Sequence, residues 1–250
     1  MLTKLVSKQL RLAAALAAMA ACAPQAPQIL EGLTPEKLAA GMRIYLRDSA
    51  EFPLHMDMVL VATDSSGQVR QRKKGSANYD FHGYNPRSNN SGGQLRGSKG
   101  TFPAAENALL GGILPSFAVV ALSAGAQPVT SEDSVAGLVT AKIEQPGCGE
   151  FEWSSANSMP KRLCGSMEFQ LKESDLSLVR FSYQAGGLPI TTVVKPFGKC
   201  QLQSYRVEAE YQQVSLPGDP KPFLVPRRLE AKVETDKGGL VMTSQFAPRK

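Results

Sequence analysis

The sequence is poor in the residues that carry most enzyme chemistry. It holds two histidines, His55 and His82, and one tryptophan in 250 residues. A hydrolase triad would need one of those histidines beside a nucleophile and a carboxylate, and no nucleophile elbow occurs in the chain. Gly147-Cys148-Gly149 resembles a reactive thiol only superficially. Asp80 and His82 stand two residues apart without a third ligand nearby, so no metal centre is expected. Gly92-Gly93 and Gly97 fall in a Ser/Asn-rich stretch rather than between a strand and a helix, which excludes a phosphate loop or dinucleotide fingerprint. Glu150, Glu152 and Trp153 could suggest sugar handling, but a Glu-x-Glu on a strand puts both carboxylates on one surface face. No catalytic residue and no cofactor is expected. Long apolar runs are also absent: Leu12–Ala21 is too short to span a bilayer, and Gly111, Gly112 and Pro115 interrupt the segment Phe102–Ala124.

The N-terminus is the most informative stretch. Lys4, Lys8 and Arg11 precede Leu12–Ala21, and small residues Ala20-Ala21-Cys22-Ala23 close the run. Residues 1–23 therefore read as a bacterial export signal, and 24–32 as a Pro/Gln-rich linker. Residues 33–246 then form a single domain. Removing the leader's three cations lowers the formal net charge from +6 to +3, so no nucleic-acid partner is expected on charge. The run Arg70-Gln71-Arg72-Lys73-Lys74 has two readings, a solvated strand end or a contact for anionic lipid headgroups.

An exported chain meets an oxidising compartment, so cysteines can pair. Cys148 and Cys164 flank a loop with Pro146, Gly147, Gly149 and Pro160 and are the expected disulfide. Closing it is worth roughly 3 kcal/mol in the chain-entropy model. Cys200 is then left reduced and buried.

Thr34 and Pro35 open an amphipathic helix expected over Pro35–Ser49, ended by Pro53. Strands are expected at Met56–Thr63, Gln68–Lys74 and Asn78–Tyr84, with Pro86–Gly100 as a loop. Leu109–Leu122 is expected to form short helices over a core. From Gly137 the chain reads as strand and turn: Leu138–Glu144, Gly165–Lys172, Leu176–Gln184, Gln201–Val214, Arg228–Asp236 and Leu240–Phe246. Strict alternation in the later strands puts Tyr205, Val207, Ala209, Tyr211, Leu229, Ala231 and Val233 on one face. If that face is concave and open, Phe169, Phe181, Tyr183, Tyr205 and Tyr211, with Leu110 and Phe117 from the covering segment, are the candidate ligand-binding residues. If it is filled, the same residues are core.

Two resemblances sharpen this reading. Met19-Ala20-Ala21-Cys22 resembles the lipobox of bacterial lipoproteins, with Met where the family prefers Leu. That resemblance implies acylation of Cys22 and an N-terminal membrane anchor; soluble release and an uncleaved anchor are the alternatives. The order of leader, helix, hairpins, mid-chain apolar insert and long strands resembles the LolA/LolB-like outer-membrane lipoprotein carriers. Asp219–Leu229 also resembles their proline-bracketed apolar loop before a late strand. The resemblance implies an α+β, mainly β fold: a curved antiparallel half-barrel covered by the N-terminal helix and the mid-chain segment. It further implies a non-enzymatic protein of the periplasm or outer membrane whose partner is a lipid, an acyl chain or a lipidated protein. An envelope-stress regulator acting through its surface is the other role in that group.

Overall fold

The computed structural model describes residues 34, 36–38, 51–82, 94–99, 129–133, 137–144, 152–154, 159–162, 164–215 and 223–249. Among them run the strands β1 Glu51–Asp64, β2 Val69–His82, β3 Gln94–Lys99, β4 Val129–Asp133, β5 Leu138–Glu144, β6 Glu152–Ser154 and β7 Met159–Arg162. These are followed by β8 Gly165–Lys172, β9 Leu178–Ala185, β10 Ile190–Val194, β11 Gly198–Val214, β12 Phe223–Thr235 and β13 Gly238–Pro248. β6 and β7 make a two-stranded ribbon. The rest form one 11-stranded antiparallel sheet in the order β3-β2-β1-β13-β12-β11-β9-β8-β5-β4, with β10 pairing to β11 off this path. The fold is mainly β and the sheet is open, in line with the expected half-barrel.

The sheet has one apolar face because its strands alternate and their registers keep like positions opposite one another. Tyr205 faces Val233, Val207 faces Ala231 and Ala209 faces Leu229 across β11 and β12, and all six are buried. This is the face assignment expected from the sequence. Continuing the register gives the row Met58–Ser244–Leu229–Ala209–Phe181–Phe169–Ala141, which crosses seven strands. A second row runs Leu60–Met242–Ala231–Val207–Tyr183–Met167–Ile143. No residue of either row is more than 3% exposed. Small residues at the centre of the sheet and aromatics toward β8 and β9 let neighbouring side chains interlock.

Thr34 caps a helical turn at Glu36–Leu38: its hydroxyl accepts the Lys37 amide at 3.3 Å and its carbonyl accepts the Leu38 amide at 3.1 Å. Leu38 is fully buried and belongs to the sheet's core. The remainder of the expected helix to Ser49 lies outside the described residues. So do the segment Leu109–Leu122 with Leu110 and Phe117, and Cys22 and Cys148.

Several expectations need correction. β1 begins at Glu51, not Met56, and takes in Pro53, which stands opposite Asp80. Gln68–Lys74 and Asn78–Tyr84 are not two strands, because Gly75 stays in the ladder opposite Met58 and β2 runs through to His82. Part of the expected loop Pro86–Gly100 is β3, which pairs with Ser76–Asp80 of β2. β9 starts at Leu178, since Leu176 adopts φ 55° in the preceding turn. The proline-bracketed loop at Asp219–Leu229 is strand from Phe223 onward. Pro226 is accommodated there opposite Tyr211, where the β11–β12 register shifts, the irregular position at which a strand tolerates a missing donor.

Candidate functional site

The inner face of the sheet brings together the described aromatics expected to bind a ligand. Phe169 and Phe181 are directly opposite on β8 and β9, and Tyr183 lies two residues along from Phe181. Tyr183 and Tyr205 meet edge to face, with ring centroids 6.2 Å apart at 62°. This is the offset geometry that aromatic quadrupoles favour. Tyr211 is on the same face at the far end of β11.

These side chains are packed, not open. Phe169, Phe181, Tyr183 and Tyr205 are each 0% exposed and Tyr211 is 7% exposed. A side chain lining a water-sized void shows accessible surface, so no such void touches the first four. A ligand reaches them only by displacing the groups packed against them.

The polar tips are handled within the core. The Tyr183 hydroxyl donates to the Cys164 carbonyl at 2.8 Å and accepts the Cys164 amide at 3.1 Å. Burial raises the ionisation point of this phenol above its ordinary value, against the opposing hydrogen bond from the Cys164 backbone. Tyr205 shifts the same way, through burial first and neighbouring Tyr183 second. Both phenols therefore stay neutral, and neither is poised as an acid or base near neutral pH.

Sequence reasoning missed a second component of this face. Met56, Met58, Met167 and Met242 are all buried there. Methionine is unbranched and polarisable and repacks around irregular apolar shapes more readily than Leu or Val. The signal was available: Met56 and Met58 alternate with Asp57 and Val59, and Met167 alternates with Glu168.

The cysteines divide. Cys164 is in a disulfide, whereas Cys200 is a buried free thiol. Burial leads in raising the Cys200 ionisation point, so the reactive thiolate is disfavoured.

The outer face carries charge instead. Arg206 and Arg180 reach Glu208 at 2.8 and 3.5 Å, and Arg228 and Lys232 reach Glu230 at 2.7 and 2.9 Å. A shallow groove there is lined by Arg180, Glu208, Glu210, Arg228 and Glu230. Lys232 leads in lowering the Glu230 carboxyl below its usual range. Such half-exposed pairs hold side chains in place but contribute little stability, about 0–1 kcal/mol each. His55 is bracketed by Asn78 at 3.5 Å and Asp57 at 3.4 Å. Among the described residues no group of three or more His, Cys, Asp or Glu side chains could hold a metal ion. Among them, too, no helix is long and apolar enough to cross a membrane.

No protein-family model matches the sequence. No curated protein matches it either. Among solved structures, the fold is similar to the crystal structure of a LolA superfamily protein from Nitrosomonas europaea. The match covers 88% of this chain and 95% of that one, at 10% identity and a TM-score of 0.40.

Proposed function

We propose that this is an exported bacterial envelope protein that binds a lipid, an acyl chain or a lipidated protein on the inner face of its sheet, without catalysis. The observation that supports this reading is the composition of that face. Two buried rows cross seven strands with Ser244 and the Tyr183 hydroxyl as their only polar side-chain groups. Aromatics gather at one side, and methionines, the side chains best able to repack around a chain, are spread over both. The domain spans 33–246, behind a leader at 1–23 and a linker at 24–32. In this reading Cys22 is acylated and tethers the protein to a membrane. Cys148 is the partner of Cys164. The candidate contacts are Phe169, Phe181, Tyr183, Tyr205 and Tyr211, with Leu110 and Phe117 from the covering segment.

The test is a titration of delipidated protein with a fluorescent fatty acid and a fluorescent diacyl peptide. Saturable uptake, competed by the unlabelled chain, is expected. Uptake no greater than by an exposed-surface control protein would overturn the reading.

One observation favours a second reading. Phe169, Phe181, Tyr183 and Tyr205 are fully buried. A core this complete suits a structural or envelope-stress regulatory protein that works through its outer surface. In that case uptake is absent while the protein still retains an envelope partner.

A further inference from the structure

Three turns stand side by side at one end of the sheet. Asp64, at the end of β1, is level with Gly238, which in turn faces Thr235. The β1–β2 turn therefore neighbours the β12–β13 turn at Asp236–Lys237. Leu202 faces Thr235, and the next residues outward, Gly198–Gln201, pair with β10 alone. The β10–β11 turn at Lys195–Phe197 thus projects about 13 Å farther out. At about 4.8 Å between strands, the rim from β2 to β10 measures roughly 24 Å.

The turns are firmly built. The Asp64 carboxylate accepts the Ser66 and Gln68 amides at 2.9 and 3.0 Å, the Ser66 hydroxyl at 2.6 Å and Arg70 at 2.7 Å. Asp236 accepts the Gln201 amide at 2.8 Å, and the Lys237 ammonium donates to the Lys199 carbonyl at 2.5 Å.

The rim is basic. Arg70, Arg72, Lys195, Lys199 and Lys237 outnumber Asp64, Glu234 and Asp236, the three carboxylates on these turns and the adjoining strand ends, and Lys73 and Lys74 follow farther along β2, opposite Leu60 and Val59. All seven cations are exposed. Arg72, Lys73 and Lys74 make no ion pair among the described residues, and Lys73 projects to the opposite side of β2 from its two neighbours. The two exposed large hydrophobics among the described residues, Val69 at 62% and Val193 at 39%, lie on the same rim. Among those residues β3 pairs with the lower half of β2 only, so charges at Val69–Gly75 also guard an open strand edge. Edge protection explains neither the valines nor the lysines of the other two turns.

We propose that this rim docks on an anionic lipid bilayer, with the cations against the headgroups and the valines at the interface. Polybasic surfaces are attracted to anionic leaflets over a Debye length, and aliphatic tips add contact that a soluble polyanion would not reward. The proposal is independent of whether the inner face takes a ligand.

Full-length protein is sedimented with phosphatidylcholine vesicles, with and without phosphatidylglycerol, at low and high salt. An acyl anchor would bind both kinds alike, so the ratio of the two affinities is read. A ratio well above one, falling with salt, is expected. Each cation lost from the rim should lower it about fivefold, so Arg72→Gln/Lys195→Gln/Lys199→Gln should lower it about a hundredfold. Arg72→Gln alone, at about fivefold, serves if the triple variant misfolds. Val69→Asp/Val193→Asp should lower it as well. Lys172→Gln/Arg227→Gln, at the opposite end of the sheet, should leave it within about twofold. A wild-type ratio near one, or equal losses at both ends, would overturn the proposal. Acyl-chain uptake should be unchanged in all these variants, which separates failure here from failure of the functional reading.

Discussion

Replacing Tyr183 with Phe isolates one polar contact within the candidate site. The ring stays, fully buried and edge-on to Tyr205. What disappears is a hydroxyl that bonds both the amide and the carbonyl of Cys164 at 3.1 and 2.8 Å. The carbonyl keeps a second donor, the Gly186 amide at 2.8 Å. Two hydrogen bonds at about 1 kcal/mol each predict a loss of about 2 kcal/mol. Tyr183→Ala removes the ring as well and should cost about 3–5 kcal/mol, the range for a large buried side chain. Urea unfolding followed by circular dichroism measures both, with the midpoint moving and the slope unchanged. A Tyr183→Phe loss below about 0.5 kcal/mol would refute the claim that this hydroxyl pins the start of β8 to β9. Equal losses for the two variants would refute the claim that the ring is packed.

Gly238→Ala should destabilise by more than about 2 kcal/mol, read from the same urea curves. Gly238 holds φ +145° and an added Cβ would collide with the Thr63 carbonyl, so β1 and β13 would have to part. Asp64 gives a pH signature. The Ser66 hydroxyl leads in holding its carboxyl at about 2, against an ordinary 3.8. A lowered carboxyl contributes stability that is complete above its ordinary value and lost as pH falls through about 2. The advantage of wild type over Asp64→Asn should therefore be constant near neutral pH and shrink between those two values; a constant difference throughout would contradict it. Non-reduced peptide mapping of exported protein should find Cys164 joined to Cys148 and Cys200 alkylatable only after unfolding; a Cys200 disulfide would contradict this assignment.

The long C-terminal strands were legible in the sequence because β11 and β12 alternate strictly, and a one-residue slip would turn every buried residue outward. The inner-face aromatics were legible for the same reason. What failed was punctuation. Gly75 and Pro53 look like breaks, yet each sits in a ladder whose neighbours hold it. Pro226 is excused by a register shift that only the partner strand creates. β10 is five residues between Pro189 and Pro196 and exists because β11 outruns β12. Alternation also says which side of a strand is apolar, not how tightly that side is covered. The complete burial of Phe169, Phe181, Tyr183 and Tyr205 was for that reason beyond the reach of pattern alone.

The central claim is that the inner face accepts an acyl chain. A diazirine-labelled fatty acid, photolysed on the delipidated protein and mapped by peptide mass spectrometry, tests it most directly. The account predicts crosslinks in the peptides carrying Met167–Leu171, Phe181–Tyr183 and Tyr205–Tyr211, competed away by unlabelled chain. Crosslinks confined to outer-face or rim peptides, or none that the unlabelled chain competes, would contradict it.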